Sequence, residues 1–204
     1  FTLSASDGIV SVYDLAINFN IETASLSSDS YDTSTQSGSA ATGIAFNNDG
    51  TKMFIVDGFD DDVLSYDLSP AWDVSTAIYN SGESFTGLGG VPLGIKFSPD
   101  GTKMFIVNGS VYVGQFDVTT AWDVSTASAT KSFATGAAGC NCEIDPESVA
   151  FSEDGMRMVL SGDSAKLHFF KLDDSFDLGN PTLIESISYP SASDTGYNNT
   201  GSKF

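Results

Sequence analysis

The octapeptide DGTKMFIV at Asp49–Val56 recurs unchanged at Asp100–Val107. A phrase that returns at a fixed distance marks a repeated supersecondary unit. TGIAFNNDGTKMFIVDG, from Thr42, aligns with LGIKFSPDGTKMFIVNG, from Leu93. A looser third copy, ESVAFSEDGMRMVLSGD, starts at Glu147. Downstream, AWDVSTA appears at Ala71–Ala77 and Ala121–Ala127, with weaker versions at Ser175–Pro181 (SFDLGNP) and Asn18–Ala24 (NFNIETA). Four columns emerge. Tyr13, Tyr66, Phe116 and Phe170 form one aromatic column, and Phe19, Trp72, Trp122 and Phe176 form another. Asn20, Asp73, Asp123 and Asp177 follow the second, then Ile21, Val74, Val124 and Leu178.

Each repeat predicts four short strands. In the copy from Thr42, Gly43–Asn47 is the first, and Asp49-Gly50 supplies the positive φ of a hairpin. The second, Lys52–Val56, is apolar on both faces, so it should lie between neighbouring sheets. The third, Val63–Leu68, alternates. Asp73 then suits an Asx turn or short helical cap, with Trp72 as a plug over the sheet edge. The fourth, Ala77–Phe85, is polar, as an outer edge should be. Such units cannot bury both faces alone, which points to an all-β fold, a β-propeller of about four blades. A β-solenoid is the rival, but its repeats are shorter and need no hairpin at every corner.

The chain ends carry fragments of the same phrase. Asn198–Phe204 reads as a worn NNDGTKM, and Phe1–Gly8 as the missing second half. The expected arrangement is a single domain, 1–204, with repeats at about 195–204 plus 1–41, 42–91, 92–146 and 147–194. One blade would then be shared between the N- and C-termini. The terminal strand could equally complete a neighbouring molecule's blade, which builds a filament unless it closes into a ring. Opening within a strand and without Met, the chain is expected to be a processed product or part of a longer one.

Gly89–Gly109 (GGVPLGIKFSPDGTKMFIVNG) resembles the repeat of YVTN-type and WD40-like β-propellers of bacterial or archaeal surface-layer proteins. The AWDVSTA word is similar to repeats of predicted secreted or phage-borne proteins. The repeats here are longer, and four blades are fewer than that family's customary seven. The resemblance implies an extracellular binding or structural role and carries no catalytic residues with it.

Eight Lys and Arg face twenty-seven Asp and Glu, for a net charge of −19. That field repels nucleic acid and anionic membrane surfaces. No apolar run is long enough to insert in a membrane as a helix. Sparse Lys and abundant Ser, Thr, Asn and Gly favour an extracellular or cell-surface location. Asn108 and Asn198 begin glycosylation triplets.

Asp57, Asp60, Asp61 and Asp62 cluster at one hairpin, where hard oxygen ligands could hold calcium; a solvated acidic turn is the simpler reading. Otherwise no cofactor is expected. Cys140 and Cys142 are candidates for a local disulfide, with an intermolecular bridge or free thiols as alternatives. His168, the only histidine, reads as structural because no nucleophile motif accompanies it. Glu143, Asp145 and Glu147 could form a carboxylate pair but fit a solvated loop better. Trp72 and Trp122 could stack on sugars but fit core plugs better.

The resulting expectation is a non-enzymatic extracellular structural or adhesive protein whose partner is itself, in an oligomer or filament, or surface glycans. The alternative is a ligand-binding or hydrolytic propeller using a central-channel site.

Overall fold

The repeat phrase forms strands because its second segment has nowhere else to place four consecutive apolar side chains. Met53, Phe54, Ile55 and Val56 are all completely buried, as are Met104, Phe105 and Val107 in the next copy. The structure, a computed structural model, describes residues 1–4, 6–38, 40–85, 89–136, 142 and 145–188. Four antiparallel sheets follow one another along the chain, and the fold class is an all-β propeller of four blades. Three sheets have four strands in simple meander order. They are β4 (Ala41–Phe46) to β7 (Ile78–Ser84) through β5 (Lys52–Asp57) and β6 (Asp62–Asp67); β8 (Pro92–Phe97) to β11 (Ala127–Ala134) through β9 (Lys103–Asn108) and β10 (Tyr112–Val118); and β12 (Pro146–Phe151) to β15 (Thr182–Ser188) through β13 (Arg157–Gly162) and β14 (Lys166–Lys171). Among the described residues, the N-terminal sheet has three strands: β1 (Thr2–Leu3), β2 (Ile9–Leu15) and β3 (Ala24–Asp32). The segment expected to complete it, 195–204, lies outside the described residues.

The repeat extends to its irregularities. The third and fourth strands slip register beside the aromatic column at Ser11/Tyr13, Ser65/Tyr66, Gln115/Phe116 and Phe169/Phe170, and in the four-stranded sheets the first and second strands slip as well, at Ala41/Gly43, Pro92/Gly94 and Pro146/Ser148. The fourth strands carry mostly exposed side chains, as an outer edge requires.

The plug after the third strand is built locally. Phe19, Trp72, Trp122 and Phe176 all have positive φ, between 54° and 68°. The following Asn20, Asp73 and Asp123 each accept a hydrogen bond from the backbone N–H two residues on, at 3.1 Å. Each thereby caps a single 3-10 turn, Ile21–Thr23, Val74–Thr76 or Val124–Thr126. Thr23, Thr76 and Thr126 close that turn by donating to the capping residue's carbonyl at 2.7–2.8 Å. The ring then lies on the hairpin glycine. A Cβ on Gly50 would stand 2.2 Å from the Trp72 ring, one on Gly101 2.4 Å from Trp122, and one on Gly155 2.3 Å from Phe176.

The chain divides into two compact units, Phe1–Thr86 and Gly87–Phe204. The core of the first gathers Val10, Met53, Ile55, Leu64, Tyr66 and Val74. That of the second gathers Phe105, Val113, Val149, Met158, Leu160, Phe170 and Leu178. Each unit joins its two sheets through an equivalent edge-on aromatic pair. Tyr31 at the end of β3 meets Tyr66 at 5.4 Å, and Phe133 at the end of β11 meets Phe170 at 5.2 Å. Such pairs add about 1 kcal/mol beyond the area they bury. In the second unit the buried Gln115 also accepts from the Leu178 N–H at 2.8 Å, and Lys131 pairs with Asp177.

Gly101→Ala combines a forbidden overlap with a left-handed φ of 71°. It should cost about 3 kcal/mol in urea unfolding. Gly89→Ala is the control: it shares a positive φ of 64° but has no atom within 4 Å of the added Cβ, so about 1–2 kcal/mol is expected.

Candidate functional site

The acidic hairpin is a folding device. Asp57 is buried, and its Oδ1 accepts from the N–H groups of Phe59 at 2.8 Å and Asp60 at 3.4 Å. Asp61 occupies the left-handed position of the turn, with φ 58°. Burial holds Asp62 above the usual carboxylate range, and the neighbouring Asp60, Asp57 and Asp61 charges push the same way. Among the described residues no three His, Cys, Asp or Glu side chains are grouped to hold a metal ion. The structure therefore does not assemble Asp57, Asp60, Asp61 and Asp62 into the calcium cage considered from sequence.

Asn108 stands at the same repeat position as Asp57 and does the same work. It is buried, and its Oδ1 accepts from Ser110 at 3.1 Å and Tyr112 at 3.3 Å. A glycan acceptor needs an exposed amide, so glycosylation at Asn108 does not fit this geometry. Asn198, Cys140 and Glu143 lie outside the described residues. Cys142 is disulfide-bonded. Asp145 accepts the Asp163 N–H through its backbone, and Arg157 is an exposed residue opening β13. Trp72 and Trp122 are the plugs described above.

His168 is the departure. It lies on β14, where the other repeats have Leu64 and Gly114, and it is 2% exposed. Its Nε2 is 3.2 Å from Ser164 Oγ, and its Nδ1 is 2.7 Å from Ser186 Oγ. Ser164 is half-buried in the turn before β14, where Ala165 takes a φ of 54°. Ser186 lies directly across from His168 on β15. A hydroxyl, an imidazole and a second hydroxyl thus stand in line. Sequence reasoning missed both serines because neither adjoins His168 in the chain. The strand pairing could have found Ser186, which falls opposite the third strand where Gly82 and Ser132 do.

The second unit also has an open cavity of about 280 Å³ between the β8–β9 hairpin and the turn after β14. Ser98, Asp100, Thr102, Lys103, Ser175 and Phe176 line it. Ser98 and Thr102 donate to Asp100 Oδ1 at 2.7 and 2.8 Å. The Ser98 hydroxyl, then the Thr102 N–H and hydroxyl, hold the Asp100 carboxyl below its usual range.

No protein-family model and no curated protein matches the chain. Solved structures do. A protein of Bacteroides fragilis, provisionally assigned as a 6-phosphogluconolactonase, superposes with a TM-score of 0.57 at 18% identity, over 86% of this chain and 48% of its own. Its Bacteroides uniformis counterpart, assigned likewise, gives 0.54 and 16%, over 85% and 49%. A Lactobacillus plantarum protein gives 0.56 and 19%, over 89% and 52%. The chain spans about half the length of these propellers. At such identities the likeness establishes the fold. It also corrects the expectation of a non-enzymatic structural or adhesive protein assembling on itself. Propellers similar to this one carry an enzyme's name, so the architecture does not imply a structural role.

The Asp100 hydrogen bonds set a pH dependence. Its folded-state pKa is depressed, so its contribution is complete above the unfolded value of about 3.9 and is lost as pH falls through the folded value. In urea titrations wild type should exceed Asp100→Asn in stability at neutral pH. The gap should close below about pH 4.

Proposed function

We propose that the protein is a hydrolytic β-propeller acting on an ester or lactone carbonyl. Ser164 is the nucleophile, His168 the general base, and Ser186 the group that orients the imidazole. The line of Ser164, His168 and Ser186 carries this reading, because a nucleophile within reach of a base held by a third group is the working arrangement of covalent hydrolysis. With the ring proton on Nδ1, directed at Ser186, Nε2 is left to accept from Ser164.

Attack of Ser164 Oγ on the carbonyl carbon passes its proton to Nε2. Collapse of the tetrahedral intermediate breaks the bond to the leaving oxygen, which takes that proton. Water then cleaves the acyl-serine by the same route, so one water is consumed per bond. The step uses no cofactor. A serine behind the imidazole supports the imidazolium less than a carboxylate would, so modest turnover is expected.

The lactonase names of two propellers of similar fold support this substrate class. The same proposal puts the protein outside the cell or at its surface, in keeping with a disulfide-bonded Cys142. The Ser98-Pro99-Asp100-Gly101 hairpin supports kinship with surface-layer propellers of the YVTN type.

Turnover of an aryl ester and a δ-lactone should fall about a hundredfold in Ser164→Ala and His168→Gln. A fluorophosphonate probe should phosphonylate Ser164, adding the probe's mass less that of the HF released. Wild type no faster than buffer on both substrates overturns the proposal, and so does unchanged turnover in Ser164→Ala.

A further inference from the structure

We propose that the cavity between the β8–β9 hairpin and the turn after β14 binds an uncharged saccharide. Ser98 and Thr102 direct their hydroxyl protons at Asp100. Ser175 directs its own at the Asp154 carbonyl, at 2.7 Å. Ser98 is itself buried and its oxygen already accepts from the Lys103 N–H at 3.0 Å, so the lone pairs left to the cavity are those of Asp100, Thr102 and Ser175, and a complementary ligand must be rich in donors.

Charge narrows the choice. Lys103, the one cation in the lining, pairs with Asp117 at 3.0 Å, and its charge also acts on the Asp177 carboxylate. The chain carries a net charge of −19. An anionic ligand would meet a compensated ammonium inside a negative field.

Phe176 supplies the apolar wall. It is half-buried, resting on Gly155 and tilted against Phe151 at 5.5 Å. A molecule with hydroxyl donors around its rim and C–H groups on one face satisfies both demands, and a pyranose is such a molecule. The volume, about 280 Å³, suits one or two sugar rings more than a longer chain.

This site is assigned independently of the Ser164 relay, since none of its lining residues belongs to that relay. Phe176 also departs from the two middle repeats, which carry Trp72 and Trp122 at the same plug position, whereas the first repeat carries Phe19. That difference provides a variant that should fold. Phe176→Trp installs the plug of the middle repeats and sets a larger ring against the cavity.

The test is saturation-transfer NMR on the whole chain with glucose, galactose and mannose, using gluconate as the anionic probe. At least one neutral hexose should give signal, and gluconate should give none. Phe176→Trp should weaken that hexose about tenfold or more without lowering the unfolding midpoint. Absence of signal from all three hexoses into the millimolar-affinity range overturns the proposal. Undiminished binding in Phe176→Trp, or preference for gluconate, overturns it too.

Discussion

An aromatic ring resting on a Cα that has no Cβ is the contact on which each complete repeat depends. Trp72 on Gly50, Trp122 on Gly101 and Phe176 on Gly155 each tie the turn after the third strand to the hairpin between the first two. The backbone reinforces the contact, because each ring residue's N–H donates to that same glycine's carbonyl at 2.8–3.1 Å. Holding a non-glycine residue at positive φ costs about 1 kcal/mol. Covering an aromatic face offsets that cost several times over at about 25 cal/mol per Å². Phe19 adopts φ 61° although its side chain is fully exposed among the described residues. The left-handed turn at Phe19 is joined to its own cap, Asn20, as it is at Trp72 and Trp122.

This local construction explains why the architecture was legible. The Asp-Gly hairpin, the aromatic and the capping Asp or Asn are local signals, and each repeats where the geometry needs it. Strand limits read from one copy differ from the observed ones by no more than two residues, as for Gly43–Asn47 against Ala41–Phe46. The four-residue helix Ser34–Ser37 was not legible, since no other described repeat has a counterpart and its polar sequence shows no period. The bulges were invisible too. They are relations between two strands, and neither strand alone announces the slip.

The candidate sites were read less well, for a related reason. Sequence shows which groups are near one another along the chain and not which hydrogen bonds occupy them. Asp57 looked like a ligand because three aspartates follow it closely, yet its oxygen is committed to the N–H groups of its own turn. Asn108 looked like a surface acceptor, and the same turn chemistry buries it. His168 looked isolated because its partners, Ser164 and Ser186, come from a turn and from the next strand.

A repeat fold gives these departures a meaning that single positions in other folds lack. Where copies agree, the shared residue answers a demand that every blade makes, and no specific chemistry need be sought in it. Where one copy differs and the surrounding geometry holds, the fold does not require the new residue. Leu64 and Gly114 both serve at the position His168 occupies, so strand pairing there tolerates anything from no side chain to a branched one. Placing the chain's only imidazole at that position, between two hydroxyls, adds nothing that the blade needs for folding. Phe176 follows the same logic: it keeps the plug with a smaller ring than Trp72 and Trp122, and a cavity lies beside it. Both departures fall in the last complete repeat, the one least faithful to DGTKMFIV. Function in this chain is therefore best sought where its repeating phrase breaks down.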